Sequence, residues 1–191
     1  WAEARKPVLA ARAWHHGLAE FPPGALFHFW QACVLLLEPD PAREREDADD
    51  VEASLTLLRT FARHNDPVFG PKVALVEALL AAKQGRHGEA QDRFDRAVSG
   101  ARSSGAPHDV ALAAEWAAES ALSWGKAGLA ADWARVAEDG YRRWGAAAAA
   151  ERIRRRVRGD SGQPLIWPGA TELGADRLEL DFQSFVKASR I

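Results

Sequence analysis

Apolar side chains recur along most of this chain at the three- to four-residue spacing of amphipathic helices, and short stretches rich in glycine and proline interrupt them. A turn over 21–24 and the charged stretch 43–50 each precede a helical pattern, and interruptions at 39–41 and 65–67 each close one. The predicted helices are 1–19, broken at Pro7, then 25–37, 51–63, 71–83, 89–102, 109–124, 129–144 and 146–158.

Two stretches of the chain, 70–105 and 110–145, repeat each other at an offset of forty residues. Self-similarity at such a period is typical of stacked helical hairpins, because one hairpin cannot bury its apolar face alone. The first stretch contributes Ala74, Ala78, Ala81, Gly85, Gly88, Ala90, Asp92, Ala97, Arg102 and Gly105, and these recur as Ala114, Ala118, Ala121, Gly125, Gly128, Ala130, Asp132, Ala137, Arg142 and Gly145.

Glycines, small residues and one bulky residue follow the spacing of a tetratricopeptide-like (TPR-like) hairpin. Small residues let two antiparallel helices approach closely, and a turn glycine permits the left-handed backbone that ends a helix. The bulky plug of the first repeat, Phe94, is replaced by the smaller Ala134 in the second. The sequence predicts an all-α fold of stacked antiparallel helical hairpins, a TPR-like solenoid. The residues predicted to pack the repeats are Gly85, Ala90, Phe94, Ala97, Gly125, Ala130, Ala134, Ala137, Tyr141, Trp144 and Gly145.

Four tryptophans of the second repeat have two alternative roles. Aromatic side chains combine a large contact area with a polar indole edge, so they serve both helix packing and ligand grooves. Core packing is the favoured interpretation for Trp116, Trp124, Trp133 and Trp144.

Composition and charge narrow the function classes. With 191 residues and 47% hydrophobic content the chain can bury a sizeable core, and its formal charge of −2 gives no electrostatic reason to bind nucleic acid or a membrane surface. No stretch reaches the roughly twenty apolar residues of a membrane-spanning helix. The single cysteine, Cys33, lies in an apolar run, which predicts a buried cytosolic thiol without a disulfide framework. We expect a cytoplasmic location.

The sequence offers little catalytic chemistry. No Gly-x-x-x-x-Gly-Lys-Ser/Thr string occurs, so an ATPase site of any parent protein would lie outside this chain. Ser161 superficially resembles a protease nucleophile, but its neighbours have the composition of a linker. The arginine-rich stretch 152–158 favours solvated side chains at a helix carboxyl terminus over a site for an acidic partner. The histidines do not have the sequence separations typical of metal ligands, either among themselves or with the cysteine; they are His15, His16, His28, His64, His87 and His108. We therefore expect no catalytic, cofactor or metal site.

Three further strings are more specific than the hairpin pattern. They are Ala111-Leu112-Ala113 followed by Glu115 and Ala118, then Tyr141-Arg142-Arg143-Trp144-Gly145-Ala146, and finally Leu180-Asp181-Phe182 followed by Val186-Lys187-Ala188-Ser189. Together with Phe69, Lys72, Leu75, Val76, Glu77 and Ala78, they resemble a helical-repeat region of large bacterial and fungal signalling proteins. In that family the region lies between a kinase-like and AAA-type ATPase front half and a GAF sensor domain followed by a histidine kinase or cyclase.

The resemblance implies a domain organisation and a function. It implies a helical-repeat domain over 1–158, a flexible linker over 159–176 and the start of a coupling segment over 177–191, in a piece of a longer polypeptide. The expected function is non-catalytic: relaying state between an ATPase module and a sensor or output module through contacts with adjacent domains of the same polypeptide. Two alternative functions remain open: a self-contained TPR-type adaptor for a peptide or protein partner, and a small enzyme. The role of segment 178–191 is also open, since it either pairs with its copy in a homodimer or caps the last hairpin.

Overall fold

The computed structural model describes residues 2–11 and 22–157, and these residues are helical almost throughout. No β-strand occurs among them, which confirms the predicted all-α class, while the solenoid geometry stays a prediction. The predicted linker 159–176 and coupling segment 177–191 lie outside the described residues. The helices are α1 (Ala2–Ala11), α2 (Pro22–Leu37), α3 (Glu44–His64), α4 (Asp66–Lys83), α5 (His87–Ser103), α6 (Pro107–Ser123), α7 (Ala127–Trp144) and α8 (Ala147–Val157), with a short 3-10 helix at Pro41–Arg43.

Prolines predicted as helix boundaries lie within helices instead. Pro7 lies inside α1, so the predicted break is wrong, and residues 12–19 of that predicted helix lie outside the described part of the chain. α2 begins at Pro22 rather than at residue 25, and α4 begins at Asp66 rather than at residue 71, with Pro71 inside it. Pro22 and Pro67 lie in the first turns of α2 and α4, where proline is tolerated because the N–H groups there have no intrahelical partner. Pro7 and Pro71 lie deeper in their helices, where each removes one backbone hydrogen bond.

The charged stretch before the third helix is also helical. α3 begins at Glu44 rather than at residue 51, and its first turn carries three acidic side chains that suit the positive end of the helix dipole. One of these, Asp47, is buried and accepts hydrogen bonds of 2.6 Å from Arg5 on α1. A run of charges that looks solvated in sequence therefore holds two helices together through a partly buried ion pair.

Four glycines end helices α4, α5, α6 and α7 at intervals of twenty residues. Gly85, Gly105, Gly125 and Gly145 have φ values of 72°, 69°, 72° and 87°, the left-handed conformation that side chains disfavour. The residue after each glycine donates its N–H back to the preceding helix, for example from Arg86 to the carbonyl of Ala81 at 2.9 Å. Each turn is therefore short, which makes neighbouring helices antiparallel.

The two repeat hairpins, α4 with α5 and α6 with α7, cross at a second pair of glycines. A Cβ atom on Gly100 would meet the Pro71 ring at 2.9 Å, and one on Gly140 would meet the Ala111 backbone nitrogen at 2.9 Å. Pro71 and Ala111, like the two glycines, are forty residues apart in the sequence. The same close crossing is thus built twice, where any side chain would push the helices apart.

Helix α2 lies over the first helices of the two hairpins. It packs against α3 and α4, and its Trp30 ring meets Trp116 of α6 edge-on with centroids 6.5 Å apart. Lys72 of α4 lies 5.7 Å from the centre of the Phe29 ring and forms an ion pair of 2.5 Å with Asp109 of α6. The stretch 110–118 of α6 is buried at every residue. α6 is consequently the central helix of the stack.

Candidate functional site

The structure buries the small residues that the repeat predicts at helix contacts, and Tyr141 with them. Phe94 is 1% exposed and Ala134 is 7% exposed, so the plug position lies inside the stack in both hairpins. The other buried members of the predicted set are Ala90, Ala97, Ala130, Ala137 and Tyr141. The glycines Gly85, Gly125 and Gly145 lie in the exposed turns described above.

The prediction that Trp144 packs in the core is wrong. Its side chain is 54% exposed, because α7 ends there and its ring contacts are with His108 and Tyr141, at centroid distances of 5.8 and 6.3 Å. Trp116 and Trp133 are buried, as core packing requires. Trp124 is half-buried and stacks on His87, with centroids 4.5 Å apart.

A small groove lies between α6, α7 and α8, at the position where the second repeat lacks a plug. Its volume is about 160 Å³, and Ala134 lines it. Most of the wall is alanine, with Leu122 and Ile153 as the larger apolar residues and Glu115 and Arg156 as the charged ones. We call this the Ala134 groove; its lining residues are Glu115, Ala118, Leu122, Ala127, Ala130, Ala131, Ala134, Ile153 and Arg156.

A buried polar network borders the Ala134 groove. Glu115 on α6 is 2% exposed and accepts a hydrogen bond of 2.5 Å from the Tyr141 hydroxyl of α7. Arg152 on α8 donates two hydrogen bonds to the same carboxylate, at 2.7 and 3.1 Å. Burial and the Glu115 carboxylate both raise the pKa of Tyr141, so the hydroxyl keeps its proton and acts as a donor. One carboxylate thus joins three helices.

A second carboxyl group lies one helical turn further along α6. Burial and the neighbouring charge of Glu115 raise the pKa of Glu119 to about 7, and Arg156 and Arg152 oppose that shift. No described residue forms an ion pair with Arg156, in contrast to Arg154 and Arg155, which both pair with Glu151. The Glu119 carboxyl, which exchanges its proton near neutral pH, therefore lies one turn from the groove residue Glu115, and the guanidinium of Arg156 in the groove wall has binding capacity left over.

This network was not predicted from the sequence, although one signal for it is present there. Glu115 and Glu119 occupy the positions of Leu75 and Leu79 in the first repeat, so two acids replace two buried leucines. The prediction that the arginines after residue 151 are solvated is wrong for Arg152, whose guanidinium is bound to a buried carboxylate. A carboxylate within an apolar run indicates a buried partner, but not which residue supplies it.

Three other features of the described residues bear on possible chemistry: Cys33, the potential metal ligands and two wider depressions. Cys33 is fully buried, and burial raises its pKa well above the ordinary value, which makes the thiol unreactive. Within 2–11 and 22–157, no group of three or more histidine, cysteine, aspartate or glutamate side chains is placed to hold a metal ion. Two wider depressions, of about 640 and 510 Å³, lie along α4 with α5 and along α5 with α7, and both mix charged and apolar walls.

Comparison with known proteins finds no matching family model, no matching curated protein and no matching solved structure. None of the helices described above is both long enough and apolar enough to cross a membrane. The described residues form an all-α protein of antiparallel helical hairpins, with the Ala134 groove between α6, α7 and α8.

Proposed function

We propose that this chain is a non-catalytic helical-repeat region of a multidomain signal-transduction protein. In that role it relays the state of an ATPase module to a sensor or output module, through contacts with adjacent domains of the same polypeptide. One observation carries the proposal: two strings that resemble the signalling family meet in the structure. Glu115 belongs to the first string and Tyr141 to the second, and the two side chains are hydrogen-bonded.

The contact between these strings suggests what they do. Glu115 also binds Arg152, and α8 is the last described helix before residues 158–191. A shift of α8 against α6 would separate a buried carboxylate from its arginine, which is costly because Glu115 would stay buried without its charged partner. The position of α8 is therefore coupled to the packing of the second hairpin, and a relay needs such a coupling between neighbouring elements.

The adaptor alternative has less support from the structure. A TPR-type adaptor binds its peptide on a face formed by the first helix of each hairpin, which here are α4 and α6. Helix α2 packs on α4, and its Trp30 ring contacts Trp116 of α6, so part of the surface of these two helices is already in contact with α2. The exposed Trp144 ring offers a better surface for a neighbouring domain.

The test uses the complete polypeptide that carries this chain with its neighbouring domains. Arg152→Ala should abolish the dependence of the output activity on nucleotide, because it releases α8 from Glu115. Arg155→Ala is the matched control, since Arg155 lies on the same helix and, among the described residues, forms its ion pair with Glu151 on the surface. Equal nucleotide dependence in the wild-type protein and both variants would contradict the proposal.

A further inference from the structure

We propose that the Ala134 groove is a binding site for a small organic carboxylate whose apolar part is about the size of a phenyl ring. This site is independent of the proposed relay function, because it rests on the volume and charge of the groove. Failure of one proposal would leave the other standing.

The volume of the groove results from a difference between the two repeats. Phe94 fills the first hairpin with a benzyl side chain, whereas Ala134 has a single methyl group at the equivalent position. The surrounding walls of the second hairpin do not close this space, since Ala118, Ala130 and Ala131 are also small. The resulting volume of about 160 Å³ is similar to engineered apolar cavities of about 150 Å³ that bind benzene.

The charge of the groove wall indicates which polar group the ligand carries. Arg156 lines the groove, and no described residue forms an ion pair with it. The carboxylate of Glu115 is already bound by Tyr141 and Arg152, so it does not compete for Arg156. A carboxylate on the ligand would accept charge-assisted hydrogen bonds from the Arg156 guanidinium, and the ring of the ligand would occupy the alanine-lined space.

The charges around the groove also predict how binding depends on pH. Glu115 of α6 and Arg156 of α8 line the groove, and the residues that α7 contributes are all alanines. Glu119 of α6 and Arg152 of α8 do not line it but interact electrostatically with these two charges. When Glu119 is protonated, these groups sum to a charge of +1, which attracts an anion. Ionisation of Glu119 removes that excess and supplies an internal competitor for Arg156. Binding should therefore weaken as the pH rises through about 7.

The experiment measures binding of 3-phenylpropionate to the full chain by calorimetry at pH 6 and pH 8, with 3-phenylpropan-1-ol as the uncharged analogue. We expect saturable binding of the acid that is stronger at pH 6, and Glu119→Gln should remove the pH difference. Arg156→Gln should weaken binding of the acid by about tenfold or more, while changing binding of the alcohol by less than about twofold. Arg155→Gln, the control on the same helix, should change neither.

Filling the groove gives a second test. Ala134→Phe places the plug of the first repeat in the second, and it should abolish binding of both probes while the variant melts close to the wild-type temperature. If Ala134→Phe does not fold, the comparison of Arg156→Gln on the acid and the alcohol decides by itself.

Three results would overturn the proposal. The first is absence of saturable binding to the wild-type chain, and the second is equal binding of the acid to the wild-type and Arg156→Gln proteins. The third is unchanged binding of both probes to a folded Ala134→Phe variant, which would place the site outside the groove.

Discussion

The two repeat hairpins share one frame and differ in what fills it. Both have the left-handed turn glycines, the close crossing at Gly100 and Gly140, and buried alanines at the helix contacts. The first hairpin is filled by apolar side chains, including Phe94 and Leu75, whereas the second has Ala134 and the ion-paired Glu115 at these positions. Small residues and glycines therefore specify the hairpin geometry, and the residues between them are free to diverge.

The apolar filling of the first hairpin and the buried carboxylate of the second should respond differently to pH and to movement of neighbouring helices. An apolar plug stabilises a hairpin through burial alone and does not depend on pH or on a partner. A buried carboxylate is stabilising only while its partners stay in place, so the second hairpin responds to protonation and to movement of α8. If the comparison is right, substitutions at equivalent positions of the two hairpins should differ in kind as well as in size.

The largest effect is expected from removing the plug of the first hairpin. Phe94→Ala should lower the free energy of unfolding by about 3–5 kcal/mol, because it removes a fully buried ring and leaves a cavity. The measurement is urea denaturation followed by circular dichroism. Ala134→Phe, the reverse exchange at the equivalent position, should change stability by less than about 1.5 kcal/mol. Similar losses in the two variants would mean that the Ala134 groove is closed in solution.

The next effect concerns the polar network of the second hairpin. Glu115→Ala should destabilise the protein by about 3 kcal/mol or more, since it leaves the Arg152 guanidinium and the Tyr141 hydroxyl without their acceptor. Urea denaturation near pH 7 measures this loss.

A triple variant tests whether the intact network itself stabilises the fold, or whether the fold is destabilised only when one member is removed and the others stay buried. Glu115→Leu, Tyr141→Phe and Arg152→Leu together make the site apolar, and leucine is the residue forty positions before both Glu115 and Arg152. Replacing a whole buried ion pair by apolar residues is often nearly neutral, so the triple variant should recover most of the loss. A triple variant less stable than Glu115→Ala would show that the network itself stabilises the second hairpin.

The sequence predicts the turns and helix contacts of the hairpins far better than the Ala134 groove, because the turns and contacts depend on local residue types. Turn glycines and contact alanines act locally, so the offset of forty residues places them correctly. The helix starts at Glu44 and Asp66 were missed because a charged run and a proline both look like boundaries when packing is unknown. The pairing of Glu115 with Arg152 joins residues 37 positions apart on different helices, and only the packing of α8 on α6 brings them together.

A smaller effect depends on pH and is specific to the second hairpin. Burial raises the pKa of Glu119 from its ordinary value of 4.5 to about 7, so the folded protein favours the protonated form. Below about pH 4.5 both the folded and unfolded chains are protonated there, and this group costs nothing. Between about pH 4.5 and 7 only the unfolded chain ionises, so stability falls, and above 7 the loss is complete.

Glu119→Gln removes this dependence. It should raise the free energy of unfolding at pH 8 by about 1–3 kcal/mol and leave it nearly unchanged at pH 4. Urea titrations at pH 4, 6 and 8 measure both values. Glu46→Gln, an exposed acid of α3, serves as the control and should show no such trend. A gain at pH 4 as large as that at pH 8 would mean that the glutamine acts through packing and not through the charge.

The smallest effect is expected at the edge of the second hairpin, and it sharpens the distinction between its core and its surface. Trp144→Ala should cost less than about 1 kcal/mol, because the ring is 54% exposed and its ring contacts are with His108 and Tyr141. Trp116→Ala, in which the ring is 3% exposed and lies against Trp30, should cost about 3–5 kcal/mol. Thermal and urea unfolding of the two variants give the comparison directly. If Trp144→Ala were as costly as Trp116→Ala, the ring would be covered in solution by a part of the chain outside the described residues or by a second copy. A small cost would leave Trp144 as a large aromatic side chain that the hairpin itself does not need, which is the property expected of a contact surface for a neighbouring domain.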